Sequence, residues 1–302
     1  MTTCLHAVLA NRTILSVSGD DARTFLQGMI SNDIDKVAAD RSIYAAFLSP
    51  QGRFLHDFLI AQHGDELLFD CDAERAGDLL RRLSMYRLRA KVKIEAANER
   101  WTAAAVFGAG LPSIPGLAPD RGAAVEWRGG VAFVDPRLAR AGIRMILPAN
   151  EAPSILSDLP GEAASAEDHD MHRLHLGLPD GGRDMLIERT ILLEAGFEEL
   201  DGVSWTKGCF IGQELTTNSR RLVIRKRLMP VTSDGGMPEL GATLYCRERK
   251  AGEMRSSRNG IGIALVRVEN LDDGDSAILT ADGTALRAFK PDWMNIQRVE
   301  NA

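Results

Sequence analysis

One cysteine sits in a short segment whose neighbours could make it reactive. Residues 207–214 read KGCFIGQE, so Cys209 lies between two glycines, with Lys207 two positions before it. A nearby cation lowers the pKa of a thiol and makes it easier to oxidise and a better nucleophile at neutral pH. Glycines also let another backbone approach closely. No histidine base lies close in sequence, so a reactive thiol and a buried structural cysteine remain equally good interpretations of the residues alone.

Two carboxylates interrupt apolar runs and could also do chemistry. Asp57 stands in FLHDFLI and Glu194 in ILLEAGF. A carboxylate in an apolar setting needs a hydrogen-bonding partner or acquires a raised pKa, which suits an acid, a base or a ligand for a cation. Asp57 could equally lie on an edge strand at the surface. In an apolar pocket, Glu194 would suit recognition of a flat heterocycle with adjacent N–H donors.

Basic residues and histidines give weaker signals. The chain carries two basic clusters, one formed by Arg81, Arg82, Arg87, Arg89, Lys91 and Lys93 and the other by Arg220, Arg221, Arg225, Lys226 and Arg227. Each cluster is either a solvated face or the lining of a cleft for an anionic ligand such as a glutamate tail. The spacing of His169, His172 and His175 turns them around a helix, so surface histidines are favoured over a metal site.

The composition is that of an ordinary globular protein. The chain has 302 residues, of which 45% are hydrophobic and 26% charged, enough for two or three folding units. Its net charge of −6 argues against general nucleic-acid binding. The four cysteines lie far apart without a CxxC pair, which disfavours disulfides and a local zinc site. We find neither a secretory signal nor a membrane-spanning run, and we expect a cytoplasmic monomer.

Helices and short strands alternate in the first third of the chain. Helical spacing predicts one helix within residues 18–30 and a second, capped by Asp72, that runs to about residue 86. Between them, apolar runs separated by turn residues predict an antiparallel meander with strands at residues 42–48, 54–60 and 66–71. This segment therefore predicts a sheet flanked by helices.

The rest of the chain is richer in strands. More short strands are expected between residues 101 and 147, then a surface connection or short helices over 150–168 and a helix over 170–176. After Arg225, short strands and glycine turns predict a small all-β unit. Within it, Asn259-Gly260 leads into a strand, because the GxG that follows lacks the third glycine of a dinucleotide loop.

The segment KGCFIGQE resembles a family signature, and other segments resemble the same family in the same order. The signature is K-G-C-[FY]-x-G-Q-E of the YgfZ family, the folate-binding iron–sulfur maturation proteins related to the glycine cleavage T-protein, an aminomethyltransferase. The further segments are FLQGMISND at 25–33, SPQGRFLHD at 49–57, LSMYRLRAKV at 83–92, GVSWT at 202–206 and RKRL at 225–228. Ordered matches are more specific than any one motif, so we identify the chain as a member of this family by resemblance.

The resemblance implies a fold and a division into domains. It implies an α+β fold in which three domains form a T-protein-like ring around a central cleft for tetrahydrofolate, with a small C-terminal β-barrel. The expected domains are residues 1–95, 96–225 and 226–302, with KGCFIGQE in the second. The barrel agrees with the glycine-rich strand pattern after Arg225.

The resemblance also implies roles for particular residues. Glu194 matches the acid that reads the pterin ring in the T-protein. Asp57 falls in the hairpin where the T-protein has two aspartates, one of them catalytic, but this chain has His56-Asp57 there. The resemblance therefore predicts three catalytic residues, Cys209, Asp57 and Lys207. It predicts four cofactor-binding residues, Glu194, Asp57, Arg225 and Arg227, and no metal site.

Two functions follow from the resemblance, and a third reading remains. The preferred function is a tetrahydrofolate-binding accessory protein for assembly or repair of 4Fe–4S clusters, with iron–sulfur assembly proteins or client enzymes as partners. The alternative is a folate-dependent aminomethyltransferase or another one-carbon transferase, and the third is a folate-binding scaffold without turnover. The T-protein usually has an aspartate, and arginine instead of glutamine, in its version of KGCFIGQE, which disfavours aminomethyl transfer. Because the cysteines are not clustered, Cys209 would act as one thiolate, together with ligands from a partner protein.

Overall fold

The fold combines two mainly antiparallel sheets with a closed six-stranded barrel. The computed structural model describes residues 3–214, 216–217, 224–271, 276–281 and 283–296. The strands are Cys4–Val8 (β1), Arg12–Ser18 (β2), Ile43–Leu48 (β3), Phe54–His63 (β4), Glu66–Asp72 (β5), Lys93–Ala96 (β6), Trp101–Gly108 (β7), Ala124–Trp127 (β8), Gly130–Val134 (β9), Ile143–Pro148 (β10), Glu162–Ala163 (β11), Lys226–Thr232 (β12), Thr243–Cys246 (β13), Arg249–Arg258 (β14), Ile261–Arg267 (β15), Ser276–Ala281 (β16) and Thr284–Phe289 (β17). The helices with described bounds are Ala22–Met29 (α1), Ala76–Tyr86 (α2), Ala152–Ser157 (α3) and Ala166–His175 (α4). None of the helices in the described ranges is long and apolar enough to cross a membrane.

The strands form two sheets and one barrel. The first sheet has the order β11-β1-β7-β10-β9-β8, and the second has the order β3-β4-β5-β2-β6. The barrel closes in the order β12-β15-β14-β13-β16-β17. The predicted α+β class and the C-terminal all-β unit are therefore confirmed. The finer division at residues 95 and 225 stays a prediction.

Strand β3 shows that the second sheet is covered on both faces, by the first sheet on one side and by helices α1 and α2 on the other. All six of its residues are buried, and alternate side chains enter different cores. Tyr44 and Leu48 pack with side chains of the first sheet, whereas Ile43 and Phe47 pack with helices α1 and α2. Side chains alternate between the two faces of a strand, so a strand that is apolar throughout must be covered on both sides.

The local predictions hold for the strands better than for the helix starts. The meander is confirmed, because β3, β4 and β5 are successive antiparallel neighbours. Asp72, however, does not cap α2: its Oδ1 accepts a hydrogen bond from Glu74 N (2.9 Å) in a turn before the helix. Helix α4 begins earlier than predicted, because Ser165 and Asp168 form a capping box around its first turn.

A buried arginine ties the barrel to the rest of the molecule. Arg173 of α4 donates from Nε to Asp170 Oδ1 (2.7 Å) and from Nη1 to Asp184 Oδ2 (2.6 Å). Its Nη2 donates to Ser256 Oγ (2.8 Å) on strand β14 of the barrel. Asp184 Oδ1 also accepts a hydrogen bond from Ser256 N (3.0 Å). A buried charge persists only when it is paired and hydrogen-bonded, so this network fixes how the barrel sits on α4.

Candidate functional site

Lys207 anchors the KGCFIGQE loop to the N-terminal part of the chain. Its side chain is buried, and Nζ donates hydrogen bonds to the carbonyl oxygens of Ile30 (2.9 Å) and Asn32 (2.7 Å). Nζ also lies 5.2 Å from the centre of the Phe210 ring, within the range of a cation–π interaction. Burial lowers the pKa of Lys207 to about 8. The ammonium group that the sequence places near the thiol therefore holds the loop in position.

The segment that accepts the hydrogen bonds from Lys207 also forms hydrogen bonds with the residues just before the loop. Ser31 Oγ donates to the carbonyl oxygen of Gly202 (2.6 Å), and Ser31 O accepts a hydrogen bond from Ser204 N (3.0 Å). Asn32 Nδ2 donates to the carbonyl oxygen of Asp201 (2.6 Å). Ser31 and Asn32 are fully buried. These side chains belong to FLQGMISND, so two of the ordered motifs meet in one cluster of hydrogen bonds.

Gly212 packs the far end of the loop against a third motif. Its φ of +82° lies in the left-handed region. A Cβ atom there would lie 2.7 Å from Ser49 O and 2.8 Å from Gly52 Cα, in the turn between β3 and β4. Only glycine fits both the conformation and the close approach of the two backbones. The motifs at 25–33, 49–57 and 207–214 therefore meet in space.

Between these anchors the loop presents its thiol. Cys209 and Gly208 are exposed, whereas Lys207 before them and Phe210 after them are buried. Of the other cysteines, two are buried and Cys246 is half-buried. Within the described residues, no group of three or more metal-ligating side chains could hold a metal ion. The loop thus offers one accessible sulfur on a fixed backbone.

Asp57 lies on β4 in a closed, polar setting. It is buried, and its Oδ2 accepts a hydrogen bond from Tyr44 Oη (2.9 Å). Burial raises the pKa of Asp57, although the charge of Arg12 opposes the shift. Any side chain at Gly181 would collide with Asp57 Oδ1, so the backbone of Gly181 covers the carboxylate. The edge-strand interpretation of Asp57 is therefore wrong.

His56, the residue before Asp57 on β4, contacts a different partner. It is buried, and its Nε2 lies 2.9 Å from Asp78 Oδ2. Burial, together with the charge of Arg75, lowers the pKa of His56 to about 4 despite this contact. At neutral pH the ring is neutral and donates from Nε2 to the carboxylate. The hairpin therefore places a neutral imidazole next to Asp57 in the chain.

The cavity beside Asp57 does not fit a pterin ring. It encloses about 40 Å³ and is lined by the arginines Arg12, Arg137, Arg144, Arg173 and Arg183 and the acids Asp57, Asp170 and Asp180, together with uncharged residues. One water needs roughly 10–15 Å³ of such volume, so the space suits a few waters. Sites for small organic ligands typically measure about 300–1,000 Å³. Glu194 is not among the lining residues.

Glu194 lies in a setting that differs from that of Asp57. It belongs to the 3₁₀ turn Leu192–Ala195, which packs against β12, and it is half-buried. Burial raises its pKa, while a backbone hydrogen bond and nearby basic side chains oppose the shift. Gly196 follows in the left-handed region (φ +77°), where a Cβ atom would lie 2.7 Å from the Trp293 ring. The turn that carries this partly accessible carboxylate is therefore followed by a glycine packed against an indole ring.

The two arginines predicted to bind a cofactor have different environments. Arg227 is buried on β12, and its Nη2 lies 2.5 Å from Glu199 Oε1. Its Nη1 also donates to Asn295 O (3.4 Å). Arg225 is exposed, and its carbonyl oxygen accepts a hydrogen bond from Val268 N (2.9 Å). Arg227 thus serves the packing of the barrel, and neither arginine lines the cavity at Asp57.

The remaining sequence signals do not form a site. His169 and His172 both pack against the Phe107 ring, at centroid distances of 5.2 and 5.4 Å. His175 is exposed, so the three histidines do not converge. In the second basic cluster, Arg220 and Arg221 lie outside the described residues.

Sequence reasoning missed the residues that hold the site together. The sequence places Tyr44 only in a strand, yet Tyr44 is the hydrogen-bond donor to Asp57, and its ring stacks on Phe197 at a centroid distance of 4.6 Å. The sequence marks Ser31 and Asn32 only as part of a motif. The sequence signal for them is a pair of small polar residues in a largely apolar segment. When such side chains are buried, they need hydrogen-bond partners from elsewhere in the fold.

Comparison with known proteins identifies relatives along nearly the whole chain. Residues 10–111 match the family described as "GCVT N-terminal domain", and residues 225–296 match "CAF17, C-terminal beta-barrel domain". The human protein named "Iron-sulfur cluster assembly factor IBA57, mitochondrial" is 35% identical over 94% of this chain and 84% of its own length. The mouse protein of the same name is 32% identical over 96% of this chain and 85% of its own.

A solved structure shares the fold at low sequence identity. The glycine cleavage system aminomethyltransferase T from Bartonella henselae superposes with a TM-score of 0.79 over 97% of this chain and 87% of its own. At 17% identity this likeness shows the fold alone. The predicted T-protein-like architecture is therefore confirmed, without any statement about activity or ligand.

The relatives correct one expectation and establish the family. The cytoplasmic location expected from the sequence is wrong, because these relatives are mitochondrial proteins by name. Widely spaced cysteines indicate only a reducing compartment, and the cytoplasm is not the only such compartment. The human relative covers most of both chains at more than 30% identity. The chain therefore belongs to the CAF17/IBA57-like family of iron–sulfur cluster assembly factors, which are homologous to the glycine cleavage aminomethyltransferase.

Proposed function

We propose that this protein is an accessory factor for the assembly or repair of 4Fe–4S clusters and that Cys209 is its working thiol. One observation carries the proposal: the KGCFIGQE loop is fixed at Lys207 and Gly212 yet leaves Cys209 exposed. A cysteine retained only for packing would be buried, because free cysteine behaves as a small apolar residue. The names of the relatives support the same chemistry. The finer assignment to the YgfZ branch rests on the KGCFIGQE signature and is part of this proposal.

In this proposal the cluster is cargo, and Cys209 supplies one of its ligands. A four-iron cluster is normally held by four thiolates. Cys4 and Cys71 are buried in the first and second sheets, and Cys246 lies on the barrel, so within the described residues no second cysteine accompanies Cys209. The remaining ligands would come from a partner protein. Lys207 then acts as a positioning residue that fixes the backbone beside the thiol.

Replacing Cys209 with Ala tests this proposal. In cells that lack the protein, we expect Cys209→Ala to restore four-iron enzyme activity no better than an empty vector. Because the side chain is exposed, the free energy of unfolding should change by no more than about 0.5 kcal/mol. Cys246→Ala is the matched control and should restore activity fully. Full restoration by Cys209→Ala would refute the role of the thiol.

Tetrahydrofolate is the finer part of the proposal, and we assign it to Glu194 and not to Asp57. A half-buried carboxylate with a raised pKa suits paired hydrogen bonds to a pterin. The small cavity beside Asp57 and the covering backbone of Gly181 argue against this role for Asp57. Aminomethyl transfer is disfavoured for the same reason, since Asp57 and the neutral His56 both have partners within the fold.

Titration with tetrahydrofolate tests the assignment to Glu194. Trp293 lies close enough to that turn to report binding by its fluorescence. We expect saturable binding that Glu194→Ala weakens by about tenfold or more, the loss expected for a charge-assisted hydrogen bond. Asp57→Asn should leave the dissociation constant unchanged. The assignment fails if the native protein shows no saturation or if Glu194→Ala binds equally well.

A further inference from the structure

A short exposed segment after α2 combines apolar and basic side chains, and we call Met85, Tyr86, Arg87, Leu88 and Arg89 the 85–89 surface. The exposed fractions are 62% for Met85, 39% for Tyr86 and 87% for Leu88. Within the described residues, three of the nine large apolar side chains that are exposed lie in these five positions. Scattered exposed apolar residues are normal, whereas a cluster indicates an interaction site.

The charge of this region is opposite to that of the whole protein. From Arg75 to Lys91 the chain has six basic residues and one acid, in a protein of net charge −6. Arg81 and Arg82 both pair with that acid, Asp78. Across the described part of the chain, Arg87 and Arg89 take part in no ion pair. Two exposed guanidinium groups therefore flank Leu88 and favour a partner surface rich in carboxylates.

The backbone holds Leu88 outward. Its φ of +45° lies in the left-handed region, which costs a residue other than glycine about 1–2 kcal/mol. The segment is fastened on both sides: α2 ends just before Arg87, and Lys91 N donates to Asp21 Oδ2 (2.7 Å). Leu88 recovers little of the strain by packing, because it is 87% exposed. Strain of this kind is typical of functional positions.

The 85–89 surface is connected to the thiol loop through buried residues. The rings of Tyr86 and Phe47 pack edge to face, with their centroids 6.1 Å apart. Phe47 pairs with Ile30 in an isolated β-bridge, and the carbonyl oxygen of Ile30 accepts the hydrogen bond from Lys207 Nζ. Three residues thus link Tyr86 to the loop that presents Cys209. The 85–89 surface and that loop therefore pack on the same buried residues.

We propose that the 85–89 surface docks an acidic protein, the one that supplies the remaining cluster ligands opposite Cys209. This inference rests on the proposed function. Tyrosine and arginine around an exposed leucine are the residue types expected at the centre of a protein interface. A membrane is the poorer fit, because stable anchoring needs far more apolar area than three side chains. The arginines would steer and orient the partner, and Leu88 would fill a pocket on it.

Substitution of Leu88 separates this inference from the proposed function. In cells that lack the protein, Leu88→Asp should lower four-iron enzyme activity by about tenfold or more, the effect of losing one interface anchor. The melting temperature should not change, because the side chain is exposed. Leu240→Asp, at a leucine 71% exposed, is the matched control and should retain activity. If Cys209→Ala loses activity while Leu88→Asp keeps it, the docking inference alone is wrong. If Cys209→Ala keeps activity, the proposed role of the thiol is wrong.

Photo-cross-linking identifies what covers the surface. A photoreactive residue is placed in the full chain at position 88, at 208 or, as control, at 240, and adducts formed in cells are identified by mass. We expect positions 88 and 208 to capture the same acidic protein and position 240 to miss it. An adduct of two copies of this chain, different proteins at 88 and 208, or no adduct at 88 would overturn the inference. So would binding of the purified protein to phosphatidylserine vesicles that Leu88→Asp abolishes.

Discussion

Replacing Asp70 with Asn is expected to lower the free energy of unfolding by about 3–5 kcal/mol, the usual cost of removing one member of a buried ion pair. Asp70 is completely buried on β5 of the second sheet. Its Oδ1 accepts a hydrogen bond from Arg12 Nε (2.6 Å), and its Oδ2 pairs with Arg144 of β10 in the first sheet. The carboxylate therefore joins the two sheets, and its charge balances guanidinium groups that are nearly inaccessible to water.

The loss of unfolding free energy should be large because Asp70 pairs with two arginines. Burial alone would raise the pKa of Asp70, but the charges of Arg12 and Arg144 outweigh it and lower the pKa to about 2. Arg144 is 3% exposed, and among the described residues its Nε already has no hydrogen-bond partner. The native pair contributes stability that is complete above the unfolded pKa of about 3.9 and is lost as the pH falls towards 2.

Urea denaturation at pH 7 measures this effect, with Glu66→Gln as the matched control. Glu66 lies on the same strand and pairs with Arg100 at 3.1 Å, but that pair is partly exposed. Exposed pairs contribute about 0–1 kcal/mol, so the control should change little. If the two substitutions lower the free energy of unfolding equally, the Asp70 carboxylate is not needed to neutralise the arginines between the sheets. The difference between them at low pH should shrink as Asp70 is protonated.

The fold was predictable to the extent that its signals are local. Alternating apolar residues and the turns between them indicated β3, β4 and β5. Gly260 and Gly262 indicated the entry to a strand, which the structure confirms as β15. The start of α4 was missed because its signal is a capping box at Ser165 and Asp168, in a segment without strong apolar spacing. Propensity and periodicity do not register a start that rests on two side chains.

The site was less predictable because its contacts are long-range. The sequence singled out Cys209, but it suggested that Lys207 acts on the neighbouring thiol. The structure shows Lys207 bonded to Ile30, 177 positions earlier in the chain. Similarly, the sequence predicts that Arg227 binds a ligand, and the structure shows that it pairs with Glu199. A basic residue in a motif can either position its segment or take part in chemistry. Its contacts in the fold show which of the two roles it has.

Gly212 gives the second large expected effect, because it fixes where the thiol loop lies. Gly212→Ala would place a side chain at φ +82°, with Cβ 2.7 Å from Ser49 O and 2.8 Å from Gly52 Cα. The left-handed conformation and the backbone contact together should cost about 1–3 kcal/mol or displace the loop. We expect four-iron enzyme activity in cells that lack the native protein to fall nearly as far as with Cys209→Ala.

Gly208 supplies the matched control within the same motif. It flanks Cys209 on the other side, is exposed, has no left-handed φ, and would have no atom within 4 Å of an added Cβ. Gly208→Ala should therefore change the free energy of unfolding by less than about 0.5 kcal/mol and keep activity. Both variants are compared with the native protein by urea denaturation and by activity in cells. If Gly212→Ala keeps full activity, the thiol does not depend on a fixed loop. If Gly208→Ala is equally inactive, the glycines serve the partner and not the packing against the turn between β3 and β4.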